Sequence, residues 1–201
     1  MAGLNKTPGA NRLHIGFFGK RNSGKSALIN AFVNQEVSIV SSEPGTTTDP
    51  VYKAMEIDGL GPCLLVDTAG FDDIGTLGQL RNDKTKKASE KIDIAIILFN
   101  DRKICQELDW YHYFKEKHIP TILVISKADL QRNDNLLKKI TEATSETPLL
   151  ISSLTKQGIK ELQEKLLEKV PADFEKESIT GELAKNCLLY TSPSPRDRSL
   201  S

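Results

Sequence analysis

The sequence predicts an α/β three-layer sandwich: a mostly parallel sheet of about six strands, one of them antiparallel, with helices on both faces. Three observations carry this. β-branched runs of strand length alternate with helical stretches along the chain. The first apolar run passes through a glycine-rich turn directly into a helix-forming segment. And Asp58-Gly59 separates two strand-like segments too closely for a crossover, so it marks a hairpin and one antiparallel strand.

The elements follow in order. Leu13 to Phe18 is a short apolar run ending in Gly19, a buried strand. Ala27 to Val33 is a buried helix, and Ser41 to Pro50, rich in Ser, Gly, Thr and Pro, is a loop. Val51–Glu56 and Cys63–Val66 are the hairpin strands. Ile92–Phe99, Thr121–Ile125 and Leu149–Ile151 are further strands. Helices are expected over Leu108–Lys117, Asn135–Thr144 and Ile159–Val170, the last with Ile159, Leu162, Leu166 and Val170 on one stripe.

Composition removes several classes. The 201 residues carry 27 basic and 27 acidic side chains, a balance that argues against a dedicated nucleic-acid domain. No apolar run approaches the ~18–20 residues of a membrane span, and Met1 to Arg12 lacks a signal-peptide core. Cys63, Cys105 and Cys187 are too scattered for a disulfide framework. A soluble cytoplasmic protein is expected. Cys63 and Cys105 read as small buried hydrophobes, with no C-x-x-C to suggest an iron–sulfur site.

Gly19-Lys20-Arg21-Asn22-Ser23-Gly24-Lys25-Ser26 matches G-x-x-x-x-G-K-[ST] at every fixed position, between a strand and a helix as the motif requires. Such a loop turns its N–H groups inward as an anion nest at a helix N-terminus. Lys25 can reach the β- and γ-phosphates and the Ser26 hydroxyl can ligate Mg²⁺, with Asn22, Ser23, Gly24 and Ala27 completing the cradle. Asp67-Thr68-Ala69-Gly70 ends a strand, where Asp67 can hold Mg²⁺ through water and the Gly70 N–H can meet the γ-phosphate. Upstream, Gly45-Thr46-Thr47-Thr48-Asp49 can bring a threonine, Thr47, to the metal, beside Thr46. Downstream, Ser126-Lys127-Ala128-Asp129 and Ser152-Ser153-Leu154 each follow a strand. A carboxylate at Asp129 would accept from guanine N1–H and the 2-amino group, donors that adenine lacks. Mismatched buried polar groups of this kind discriminate by ~10⁴-fold or more. Five segments in this order predict a P-loop fold that binds GTP and GDP, with Lys25, Thr47, Asp67 and Gly70 as the catalytic set.

With these residues in view the chain resembles the translation-factor-related GTPases, in particular the tRNA-modification and ribosome-assembly group. Two positions depart from that pattern. Ser126 stands where the guanine motif usually begins with Asn; it can still brace the phosphate loop by a hydrogen bond, but its shorter reach implies a lower guanine affinity. Phe71 stands where Ras-like enzymes carry a water-orienting Gln, so catalysis must be completed otherwise. By resemblance, Asn22 would bind a K⁺ that stands in for an arginine finger; the plainer alternative is a phosphate-loop turn former.

Asn11 to Gly16, the loop with Arg21-Asn22, Gly45 to Glu56, Gly59-Leu60-Gly61-Pro62 and Asp67 to Asp73 resemble the HydF family, the GTPase and scaffold proteins of FeFe-hydrogenase maturation. The resemblance runs through Ile179-Thr180-Gly181-Glu182-Leu183. It implies slow Mg²⁺-dependent, K⁺-stimulated GTP hydrolysis by a regulatory domain. It also implies a possible homodimer through the switch loops or a missing dimerisation domain, and contact with other hydrogenase maturases and the hydrogenase in the full-length family. No iron–sulfur cluster belongs to this segment. Rival readings are a nucleotide-dependent binding switch and an RNA-directed GTPase of the tRNA-modification or ribosome-assembly type.

Residues 1–10 are then a flexible N-terminus, 11–172 the GTPase domain and 173–186 a connector stub. Cys187 to Asp197, with alternating Pro and Ser, looks like the in-frame translation of a transposase sequencing adapter, so 187–201 is expected to be disordered. Other conspicuous residues have plainer readings. His14, His112 and His118 do not cluster and read as structural or solvated. Asp72, Asp73 and the basic stretch Arg81 to Lys87 read as solvated, and Gln79 is a minor candidate for arranging water. Trp110, Tyr111, Tyr113 and Phe114 read as core packing.

Overall fold

A computed structural model describes residues 12–33, the backbone of 41–43, and residues 51–68, 89–130, 134–171 and 174. These residues contain seven strands: β1 Leu13–Gly19, β2 Ser41–Glu43, β3 Val51–Ile57, β4 Gly61–Asp67, β5 Ile94–Phe99, β6 Thr121–Ile125 and β7 Leu149–Leu150. Four helices accompany them: α1 Lys25–Val33, α2 Cys105–Glu116, α3 Asp134–Thr144 and α4 Ile159–Glu168.

The strands form one sheet in the order β2-β3-β4-β1-β5-β6-β7. β1 is parallel to both β4 and β5, and β5, β6 and β7 continue in parallel. β3 pairs antiparallel with β2 and with β4, so it is the one strand that opposes the rest. The hairpin turn at Asp58-Gly59-Leu60 has Gly59 at φ 78° and closes with Leu60 N–H donating to Ile57 O at 2.9 Å. β2 is an addition: Ser41–Glu43 reads as loop because it has no apolar alternation, and its strand character comes from pairing with Tyr52, Lys53 and Ala54.

Side-chain alternation divides the core in two. Leu13, Ile15 and Phe17 of β1, with Ile94, Ile96 and Leu98 of β5, pack against Leu28, Ile29 and Phe32 of α1 and Ile159, Leu162 and Leu166 of α4. Phe18, Ala95, Ile97 and Phe99, with Leu123 and Ile125 of β6, face Tyr111 and Phe114 of α2 and Ile140 of α3. Thus α1 and α4 cover one face and α2 and α3 the other. Burial on both faces is why β1, β5 and β6 read as unbroken apolar runs.

The aromatic residues of α2 behave as core. Trp110 stacks on Phe18 with ring centroids 5.2 Å apart, and Phe114 meets Phe18 edge-on at 4.7 Å. Across the same layer, the Tyr111 hydroxyl donates to Thr144 O at 3.1 Å and Lys115 pairs with Glu146 at 2.7 Å. His14 meets Asp93 twice, through its backbone N–H at 2.7 Å and its ring Nδ1 at 3.4 Å.

Cys63 is fully buried, and burial pushes its thiol up to about 12. Cys105 corrects the expectation: it is exposed. It opens α2 one residue after buried Ile104, and the buried stripe runs through Glu107, Tyr111 and Phe114, so position 105 turns outward.

Candidate nucleotide site

The site lies at the carboxyl ends of the parallel strands, beside the point where the chain leaves β1 for one side of the sheet and later returns to the other. In open α/β sheets that is where ligands bind. β1 delivers the chain to Gly19, and α1 begins at Lys25, so the connecting loop runs directly into a helix N-terminus. Two residues of the loop have left-handed backbones, Asn22 at φ 59° and Gly24 at φ 93°. Asparagine tolerates that conformation, and at Gly24 no atom lies closer than 3.9 Å to where a Cβ would stand.

Lys25 is buried, with its ammonium donating to Gly19 O at 2.7 Å and Lys20 O at 2.8 Å. These bonds draw the charge back over the loop that should cradle a polyphosphate. Ser26 Oγ donates to Asp67 Oδ2 at 2.5 Å, joining the first turn of α1 to the end of β4. The two residues expected to serve Mg²⁺ therefore meet, although they are 41 positions apart. A hydroxyl and a carboxylate are hard oxygen donors and suit that ion. Next to Asp67, the Thr68 hydroxyl donates to Phe17 O at 2.5 Å and ties the strand end to β1. Its anchoring role was not evident from the sequence, where a threonine after an aspartate has many uses.

β6 ends beside the loop. Ser126 is buried and its hydroxyl donates to Ser23 O at 2.6 Å, with Phe99 O at 3.3 Å. Serine therefore reaches the phosphate loop despite its short side chain. Lys127, at φ 56°, lays its ammonium on Asn22 O at 2.8 Å, and Asn100 Nδ2 reaches the same oxygen at 3.4 Å. The backbone carbonyl of Asn22 is thus engaged.

A cleft of about 490 Å³ opens next to these residues, lined by Gly24, Ala27, Ser126, Lys127, Asp129, Ser153 and Leu154 among others. Asp129 is exposed in this cleft. Ser152 is fully buried: its N–H donates to Gln157 O at 3.1 Å and its Oγ accepts from Thr155 N–H at 3.2 Å. It builds the following turn, and Ser153 and Leu154 are the two that border the cleft. Asn30, Ala31, Leu130 and Lys156 also line it and carry no motif that would have singled them out. Leu130 and Leu154 are 68% and 83% exposed, apolar walls unexplained by core packing.

Thr46, Thr47 and Gly70, together with Phe71, Asp72, Asp73, Gln79 and the stretch Arg81 to Lys87, lie outside the described residues.

One buried acid carries no motif. Glu107, in the first turn of α2, is fully buried, and its carboxylate lies 3.3 Å from the Lys20 ammonium. Burial pushes the carboxyl above its ordinary value, while its own backbone N–H and the Lys20 charge oppose that shift.

Comparisons with known proteins agree with this geometry. Residues 14–127 match the family described as 50S ribosome-binding GTPase. The chain is 29% identical over 166 residues to the tRNA modification GTPase MnmE of Leptospira biflexa, across 81% of this chain and 36% of that protein. It is 32% identical over 202 residues to the GTPase Der of Wolinella succinogenes, across 91% of this chain and 41% of that protein. It spans well under half the length of either relative. Among solved structures, Aquifex aeolicus Era bound to GDP·AlF₄⁻ superposes with a TM-score of 0.66 at 26% identity, over 83% of this chain and 58% of that one. The G domain of the T. maritima FeoB iron transporter shares the fold, with a TM-score of 0.58 at 21% identity over 79% of this chain and 98% of that one. No described helix is long and apolar enough to cross a membrane. With its phosphate loop, its paired Ser26 and Asp67 and its matched sequence, the chain belongs to the family of 50S ribosome-binding GTPases and is a GTP-binding P-loop GTPase of the MnmE-like type.

Proposed function

We propose that residues 11–172 form a regulatory domain that hydrolyses GTP slowly with Mg²⁺ and K⁺, serving a scaffold of FeFe-hydrogenase maturation. The observation that carries the chemistry is the meeting of Ser26 and Asp67 at the mouth of the phosphate loop. Those two residues, with Thr47, would hold Mg²⁺, which supplies charge neutralisation on the β- and γ-phosphates. Lys25 binds the same phosphates, and the Gly70 N–H orients the γ-phosphate. Asp129 selects guanine by accepting from its N1–H and 2-amino group, with Ser153, Leu154 and the Lys127 stem lining the base cleft and Ser152 holding the turn that carries them. Asn22, exposed and with a left-handed backbone, would offer its side chain to K⁺.

The ion requirement is tested by measuring GTP turnover in KCl and NaCl at equal ionic strength. Faster turnover in KCl is expected, and equal rates would remove the potassium role. The maturation role rests on the HydF-like segments, Gly45 to Glu56 above all. It is tested by replacing the GTPase segment of a hydrogenase maturation scaffold with residues 11–172 and assaying hydrogenase in cells. Retained activity supports the reading, and a chimera that folds and turns over GTP but matures no hydrogenase contradicts it.

A second reading is favoured by the relatives themselves, which are named for tRNA modification and for a 50S ribosome-binding family. An RNA-directed GTPase would bind tRNA or ribosomal RNA with a steep loss of affinity as salt rises.

A further inference from the structure

Lys20 is the first variable residue of the phosphate loop, and its side chain turns away from the loop into the protein. Its ammonium lies 3.3 Å from the carboxylate of Glu107, in the first turn of α2, and donates to Lys103 O, just before that helix. Only 14% of the Lys20 side chain and 1% of the Glu107 side chain are exposed, so the pair is held out of water. Neither carboxylate oxygen of Glu107 has an aligned hydrogen bond. The lysine is thus the charge facing it, with Asp101 a more distant like charge. The acid's own backbone N–H is the other group that favours the charged form, and a buried acid so placed is costly unless its lysine stays in place.

The backbone of Lys20 is equally committed. Its carbonyl accepts the Ser23 N–H at 3.2 Å, which closes the loop, and the Lys25 ammonium at 2.8 Å. One residue therefore links the α2 N-terminus, through its side chain, to the turn and the lysine that face the phosphates, through its carbonyl. The position of α2 is set in turn by Tyr111 and Phe114 in the core.

We propose that Glu107 is a positioning residue for nucleotide binding: its ion pair with Lys20 fixes the carbonyl on which Ser23 and Lys25 converge. The inference rests on the loop's binding of GTP. Glu107 acts without touching the nucleotide, by holding the loop in the binding shape beforehand. Loss of the pair raises the ordering cost of binding GTP and GDP alike, whereas the chemical step after binding uses groups that are unchanged.

The test is a double-mutant cycle with Glu107→Gln, Lys20→Met and the double variant, measuring Kd for a fluorescent GDP analogue and KM and kcat for GTP. Each single variant is expected to raise Kd and KM about tenfold with kcat changed less than about twofold, and the double variant to be no worse than either. Lys20→Arg, which keeps the charge, is expected to retain most of the affinity. A Glu107→Gln protein that binds within about twofold of wild type overturns the proposal, as do losses that multiply in the double variant. If Glu107→Gln does not fold, Lys20→Met against Lys20→Arg decides the matter: weaker binding by Lys20→Met alone supports the proposal, and equal affinities overturn it. A wild-type chain that binds no GDP would refute the binding itself, a result distinct from all of these.

Discussion

At Ser126 a single hydroxyl links the end of β6 to the phosphate loop, 103 residues earlier in the chain. Its bond to Ser23 O is buried, so Ser126→Ala leaves that carbonyl without this donor and should cost about 1–3 kcal/mol in stability. A nucleotide titration of the same variant should show weaker GDP binding, and unchanged affinity would separate the brace from the binding site. Two other residues make opposite predictions about reactivity. Cys105 is exposed and should be alkylated quickly in the folded protein, while buried Cys63 should react only on unfolding, which peptide mapping after a timed iodoacetamide pulse resolves. The folded state keeps the Cys63 proton up to about pH 12, whereas the unfolded thiol releases it near its ordinary value. Stability should therefore fall as pH rises through the interval between those values, and Cys63→Ala should blunt that alkaline loss in a pH series of melting temperatures. The exposure of Cys105 could have been read from helical phase: Ile104, Tyr111 and Phe114 define the buried stripe and position 105 is off it. The burial of Glu107 could not, because its partner lies 87 positions away in the phosphate loop.

At the scale of elements, strand and helix positions were legible because burial on both faces leaves plain apolar runs at β1, β5 and β6. The spacing of Ile159, Leu162 and Leu166 likewise announces α4. Strand β2 was not legible, since Ser41–Glu43 is held by the neighbouring strand rather than by its own side chains. Motif positions told that Ser26 would meet Asp67 and that Ser126 would reach the phosphate loop. They could not tell that Ser152 builds the turn after β7 while Ser153 and Leu154 border the cleft, because that depends on which way the backbone faces. That turn depends on Gly158, which caps α4 with φ 77°, and a Cβ there would stand 2.3 Å from Leu150 O. Gly158→Ala should destabilise the protein by about 2–3 kcal/mol, measured by urea unfolding, and should weaken guanine-nucleotide binding because Leu150 precedes the base-side turn. A variant as stable as wild type would show that the turn relaxes at no cost.

For the whole molecule, one arrangement explains the candidate site: a sheet whose central strands end together, with the phosphate loop between β1 and α1 and the cleft beside the ends of β6 and β7. α1 and α4 on one face and α2 and α3 on the other hold those strand ends in register. The central proposal is that guanine is selected through the carboxylate of Asp129, which lines that cleft. The direct measurement is a comparison of GTP, ATP and xanthosine triphosphate binding to the wild-type chain and to Asp129→Asn. The wild type should bind GTP in strong preference to ATP. Asp129→Asn should lose GTP affinity and gain xanthosine triphosphate, whose 2-carbonyl accepts from an amide where the guanine amino group donated. Equal binding of GTP and ATP by the wild type, or undiminished GTP affinity in Asp129→Asn, would contradict it.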